Sequence, residues 1–398
     1  MLRKVSAVSF AVMGVAFAGV STAATLGPER GAMFDPKTIS SGGIEVMPWI
    51  GLTEGNNSNI GLQNTNKTST NFTALNPNLV VGLPTQGQMY ALKYSGNFTR
   101  FAGSSIDNFN DHKLGLLADN VWSARLNSLV NADYVMGHDG RNALLFKSLE
   151  QWHTGGIKAK VHYGAEGAQG QFELAAGQIS KRYDSNNSGS TQFYNNDRTD
   201  FAGTFFYKVA PATHAFVEAD NSKYSYVDAA SFRLNSTEQR YMLGVKWEAT
   251  AKTTGSVKLG TLKKTFDTGV LQSGSSTVWD ADVLWSPLTY SKIDASLHQT
   301  ANEYGGVGSF IISRDSNLNW THDWTGRVSS ILALGDGVDN FQGVSRIDKR
   351  QNYSLKALYG FRTWLRAGLG YSLTKRNSTD ANFTYTQNVT MLTLEGSL

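Results

Sequence analysis

The stretch Gly87–Phe101, GQMYALKYSGNFTRF, decides the fold. Taken alternately, Tyr90, Leu92, Tyr94, Gly96 and Phe98 fall on one face, and Met89, Ala91, Lys93, Ser95, Asn97 and Thr99 on the other. Side chains that alternate in this way belong to a β-strand. One face is apolar and aromatic, and the other is mostly polar. A soluble sandwich turns the apolar face inward, whereas a membrane barrel turns it to lipid and lines a wet lumen with the polar face.

The pattern recurs along the chain. Tyr241, Leu243, Val245 and Trp247 alternate with Met242, Gly244, Lys246 and Glu248, and Leu365, Ala367, Leu369 and Tyr371 with Arg366, Gly368, Gly370 and Ser372. Trp279–Trp285 and Tyr353–Tyr359 read the same way. Many such segments without a helix or a linker point to one all-β domain.

The connections identify its type. Short ones such as PTQG (Pro84–Gly87), SPLT (Ser286–Thr289), HDWT (His322–Thr325) and YGFR (Tyr359–Arg362) alternate with long polar ones such as Thr53–Thr70 and Asp184–Asp197. Tight periplasmic turns and longer extracellular loops are the layout of an outer-membrane barrel. Counting about nine long loops and eight tight turns predicts an antiparallel up-and-down barrel of about eighteen strands. Both termini then lie on the periplasmic side. Trp122, Trp247, Trp285, Trp324 and Trp364 all sit beside short turns, so they form a candidate aromatic girdle at one membrane boundary. The closing strand MLTLEGSL places Leu392, Leu394, Gly396 and Leu398 on one face and has to pair with the first strand.

Composition agrees. Of 398 residues, 17% are charged, mean hydropathy is −0.29, and cysteine is absent, which excludes disulfides and thiol-based metal or redox chemistry. The N-terminus carries Arg3 and Lys4, an apolar stretch Val5–Val20 and the small residues Ser21–Ala24, the pattern of a secretory signal peptide, with a membrane anchor as the alternative. The expected organisation is a signal peptide over 1–23, a short periplasmic or luminal segment over 24–43, and the barrel over 44–398. Loss of Arg3 and Lys4 lowers the formal charge from +4 to +2, so bulk charge implies no partner and no nucleic acid.

No catalytic motif emerges. The seven histidines form no H-E-x-x-H pair, and there is no G-x-S-x-G elbow and no Walker loop, so no metal or cofactor is expected and the chain does not read as an enzyme. His322, beside Trp324 at a tight turn, is the residue that a lipid-hydrolase reading needs; an interfacial histidine is the plainer one. Charges of both signs alternate onto the expected lumen face, with Asp282 and Lys292 opposed across the SPLT turn. Arg346–Arg376 carries eight basic residues against one acid, Asp348. Lys356 and Arg366 fall opposite each other across the YGFR turn, and like charges so placed are destabilising. With Lys93 and Arg327 they form a candidate luminal track for an anion or polysaccharide. Against this stand a wide wet lumen, which tolerates like charges, and the phosphates of lipopolysaccharide.

The first strand and its Asn-rich loop, IEVMPWIGLTEGNNSNIG (Ile44–Gly61), the aromatic-alternating hairpins and the terminal strand resemble the outer-membrane β-barrel porins encoded beside exopolysaccharide and capsule genes in proteobacteria. The resemblance covers essentially the whole mature chain. It implies a Gram-negative outer membrane and a passive conduit for export or assembly of surface polysaccharide. The implied partners are membrane lipids and lipopolysaccharide, the barrel-assembly machinery, the polysaccharide, and a periplasmic or inner-membrane synthase complex. The alternatives are a diffusion porin for small solutes and a structural or adhesive barrel acting through its Asn-rich loops.

Overall fold

The computed structural model describes residues 34–35, 37–142, 148–184, 191–250, 252–303 and 308–397. The expected signal peptide and Leu398 lie outside them.

A short strand β1 (Ile39–Ser41) turns through Gly42 and Gly43, at φ 58° and 85°, into β2 (Ile44–Asn57). That backbone suits glycine and strains other residues. The chain then runs up and down through β3 (Thr70–Thr85), β4 (Gln88–Phe101), β5 (Phe109–Val121), β6 (Leu126–Asp139) and β7 (Glu150–Tyr163). It continues through β8 (Gly170–Tyr183), β9 (Asn196–Ala210), β10 (Thr213–Tyr226), β11 (Ser236–Thr250), β12 (Thr253–Phe266) and β13 (Gly274–Leu288). The last six are β14 (Ser291–Glu303), β15 (Phe310–Asp323), β16 (Val328–Phe341), β17 (Ile347–Arg362), β18 (Leu365–Ser378) and β19 (Tyr385–Ser397).

Each strand from β2 to β19 pairs antiparallel with its sequence neighbours, and β19 returns to β2, with Val389 opposite Asn57 and Ser397 opposite Trp49. The sheet of nineteen strands is therefore a closed barrel of eighteen plus β1, which runs beside Glu45 and Val46 below the end of β19. Closure leaves no unpaired edge to face hydrocarbon. The expected strand number holds.

The faces follow from alternation. Leu174, Leu243, Leu259 and Leu369 are 60–66% exposed on the outer wall, where the medium is lipid. The opening stretch thus turns Tyr90 outward, and Lys93, opposite Gly115, inward. Strands of 13–16 residues exceed the roughly 9–11 that cross a bilayer, so their ends project beyond the hydrocarbon layer.

One ladder is cut short. Pairing of β13 with β14 stops at Trp279↔Gln299, yet β14 stays paired with β15 as far as Glu303↔Phe310. Across the gap the Gln299 amide donates to the Thr277 carbonyl at 2.6 Å.

Candidate functional site: the lumen and its mouths

The structure separates the four residues of the expected track. Lys93 is on the inner wall of β4. Arg327 is not on a strand: it is exposed in the turn between β15 and β16, which spans residues 324–327. The lumen assignment fails because the turn lies later than HDWT. Nor do Lys356 and Arg366 face each other; Lys356 pairs with Gly370, and Arg366 with Gly360. The strand β17 runs through YGFR to Arg362, with an irregularity after Gly360, and shifts the register. The stem of Lys356 lies over Gly368 and Gly370. Asp282 likewise pairs with Ser296 and not Lys292.

Two cations of the basic run, Arg350 and Arg366, meet carboxylates from other strands. Arg350 binds Asp339 at 2.7 Å and Asp315 at 2.8 Å. Arg366, fully buried, binds Glu395 at 2.6 Å, and its guanidinium lies 4.6 Å from the ring of Phe34 in the N-terminal segment. Arg346 holds Asp348 at 2.6 Å. Arg376 donates to the Phe383 carbonyl at 2.6 Å. For these four arginines the cost that the run seemed to impose is met within the protein.

The inner wall of β9–β14 is a series of such pairs. Lys258 binds Glu218 at 2.8 Å, Arg198 binds Asp200 at 2.9 Å, and Arg240 binds Glu238. His298 lies between Asp280 at 3.1 Å and Asp282 at 3.6 Å. The ligand atoms of these three lie within 4.8 Å of one another, so among the described residues they are the side chains that could hold a metal ion, a group the sequence did not single out. On the opposite half of the wall amides and hydroxyls stand between the charged groups. Asn319, Asn352, Ser372, Thr393, Asn78 and Ser95 point inward there by register, a lining of amides and hydroxyls.

The extracellular mouth is narrowed by the chain itself. Above Gln299 the tip of the β14–β15 hairpin folds inward. Its Ala301, Phe310 and Ile312 pack on Met242, Leu262, Phe266 and Val278, which line β11–β13 from within. Glu303 at the tip pairs with buried Lys264 and accepts from the Tyr226 hydroxyl at 2.7 Å. The Lys264 ammonium also lies 4.0 Å from the centre of the Tyr224 ring. Sequence reading missed this tip. Its signal was Phe310–Ile312, three apolar residues in a row where alternation should hold, because both faces of the tip are buried. A second closure starts from the β6–β7 connection, where the Asn142 side chain donates to the Gly61 carbonyl at 2.6 Å and the Asn142 carbonyl accepts from Arg376 at 3.1 Å.

At the periplasmic end, Trp122, Trp324 and Trp364 lie in turns, Trp247 and Trp285 near strand ends. His322 sits among Tyr290, Trp320 and Trp324, with ring centres 5.4, 5.4 and 4.4 Å away. The adjacent Asp323 accepts from Ser329 at 2.7 Å, and the buried Nδ1 atom of His322 makes no hydrogen bond.

No curated protein matches the chain. Solved structures that it resembles include the FrpB iron transporter from Neisseria meningitidis, with a TM-score of 0.45, 10% identity, and coverage of 86% of this chain and 66% of that one. A copper transporter, OprC, gives 0.45 and 10% over 92% of this chain and 82% of that one. A BenF-like porin from Pseudomonas fluorescens Pf-5 gives 0.47 and 11% over 89% and 99%. The chain thus spans just under two thirds of the FrpB structure's length. The closed barrel, the inward polar wall and a family model described as putative beta-barrel porin 2, which matches residues 32–397, coincide: the chain belongs to that family of outer-membrane barrels.

Proposed function

We propose that the protein is a passive conduit across the outer membrane for a surface polysaccharide. The observation that carries this is the set of inward amides and hydroxyls, such as Asn352, Ser372 and Asn78, that offer donors and acceptors suited to a polyhydroxylated chain. The inward β14–β15 tip would hold the mouth narrow when no cargo is present. The family is one of porins and not of enzymes, and the force for export would come from synthesis at the inner membrane. The test compares polysaccharide on the surface, in the medium and in the periplasm of a deletion strain and its complemented twin. A fall at the surface with a rise in the periplasm supports the reading; unchanged fractions overturn it.

A second reading, diffusion of small charged solutes, is favoured by the paired charges of β9–β14. It expects steady ion conductance in planar bilayers without any cargo.

A further inference from the structure

Lys208, His214 and Lys246 occupy one level of the inner wall near its periplasmic end. His214 on β10 lies directly opposite Lys208 on β9 and directly opposite Lys246 on β11. Three basic side chains therefore stand on adjacent strands, spaced by about 4.8 Å per strand. The acids near the two lysines do little to offset their charge. Glu218, further up β10, is taken by Lys258 at 2.8 Å. Glu173 on β8 is held by Lys160 at 2.8 Å. Glu248 approaches Lys246 at 3.3 Å but is 69% exposed, and a pair so exposed contributes little. The Lys208 ammonium makes a long bond to the Gly167 carbonyl at 3.4 Å. The His214 Nε2 atom is buried and makes no hydrogen bond. This differs from Arg346, Arg350 and Arg366 of the basic run, which each hold a carboxylate at 2.8 Å or less.

We propose that the Lys208–His214–Lys246 row is a binding site for a carboxylate-bearing polysaccharide that enters the lumen from the periplasm. Two lysines two strands apart, with an imidazole between them, match a ligand with carboxylates repeated along an extended chain, and a single small anion would engage only part of the row. The site stands on the row alone; its place in export rests on the reading given above.

The experiment measures binding of a labelled oligogalacturonate to the full-length protein in detergent at low salt, with a neutral maltooligosaccharide of equal length as control. The triple variant Lys208→Ser/His214→Ser/Lys246→Ser should weaken binding of the acidic oligomer by at least about tenfold, and added salt should weaken it in the wild type. Lys208→Arg/Lys246→Arg should retain binding, and neither variant should alter the neutral control. Heat-modifiable mobility on gels verifies that each variant is folded. Equal binding of the acidic oligomer by the wild type and the triple variant overturns the site, as does an equal loss in Lys292→Ser, a lysine on the inner face of β14. Binding as expected with unchanged polysaccharide fractions in the deletion strain leaves the site and removes export. Periplasmic accumulation in that strain with equal binding by wild type and triple variant leaves export and removes the site.

Discussion

Tyr226 and Glu303, separated by 77 positions in the chain, meet at 2.7 Å inside the barrel. One closes the inner wall of β10 and the other ends β14, so this bond ties the hairpin tip to the wall. Lys264 completes the arrangement by pairing with the same carboxylate. Tyr226→Phe removes a neutral donor from a charged acceptor in a buried site, a loss of about 1.5–3 kcal/mol. Urea unfolding in vesicles should show that loss, and an unchanged midpoint would mean that the tip is not held there.

Phe310 is 2% exposed, and its ring centre lies 6.3 Å from that of Phe266. Phe310→Ala should cost about 3–5 kcal/mol of packing, felt locally as release of the tip from β11–β13. The expected result is higher single-channel conductance in planar bilayers and faster proteolysis near Glu303. Unaltered conductance would show that the tip does not narrow the path for ions.

Gly337 faces Asp315 on one side and Arg350 on the other. A methyl group there would stand 2.8 Å from the Arg350 Nη2 and Asp315 Oδ1 atoms, so Gly337→Ala should push their ion pair apart at a cost of about 1–3 kcal/mol. At Gly335 the nearest atom, of Asn317, is 3.1 Å away, and Gly335→Ala should cost less. Thermal transitions on semi-native gels compare the two; equal effects would remove the role given to the ion pair.

Leu259 is 60% exposed midway along β12, and Ser256 on the same strand faces inward opposite Asp282. Leu259→Arg places a charge in lipid at about 2–4 kcal/mol. Ser256→Arg gains an acidic neighbour and should change stability by no more than about 0.5 kcal/mol. The reverse order in a refolding titration would exchange the inside and the outside of the barrel.

The barrel was legible because alternation and connection length are properties of neighbouring residues. Tyr241–Trp247 states its outer face without help from the rest of the chain. Register was harder to read. Each turn was assigned by composition, and YGFR and SPLT both prove to be largely strand, so Lys356 and Asp282 acquire different partners from those expected. The basic run misled for a related reason: Asp315, Asp339 and Glu395 are distant in sequence and become adjacent only when the sheet closes. The Lys208–His214–Lys246 row was hidden by the same distance. The hairpin tip left a local trace in Phe310–Ile312, where apolar residues stop alternating.

In mechanical terms the wall is a hoop whose strength depends on an unbroken ring of rungs. Over most of its height the ring is complete. At the outer rim the rungs between β13 and β14 stop at Trp279↔Gln299, and one glutamine side chain spans the slit above. The rim is therefore a split collar on a rigid cylinder. A load on that end falls first on the β14–β15 leaf, which the Gln299 bond and the Glu303 contacts hold in place of a ladder.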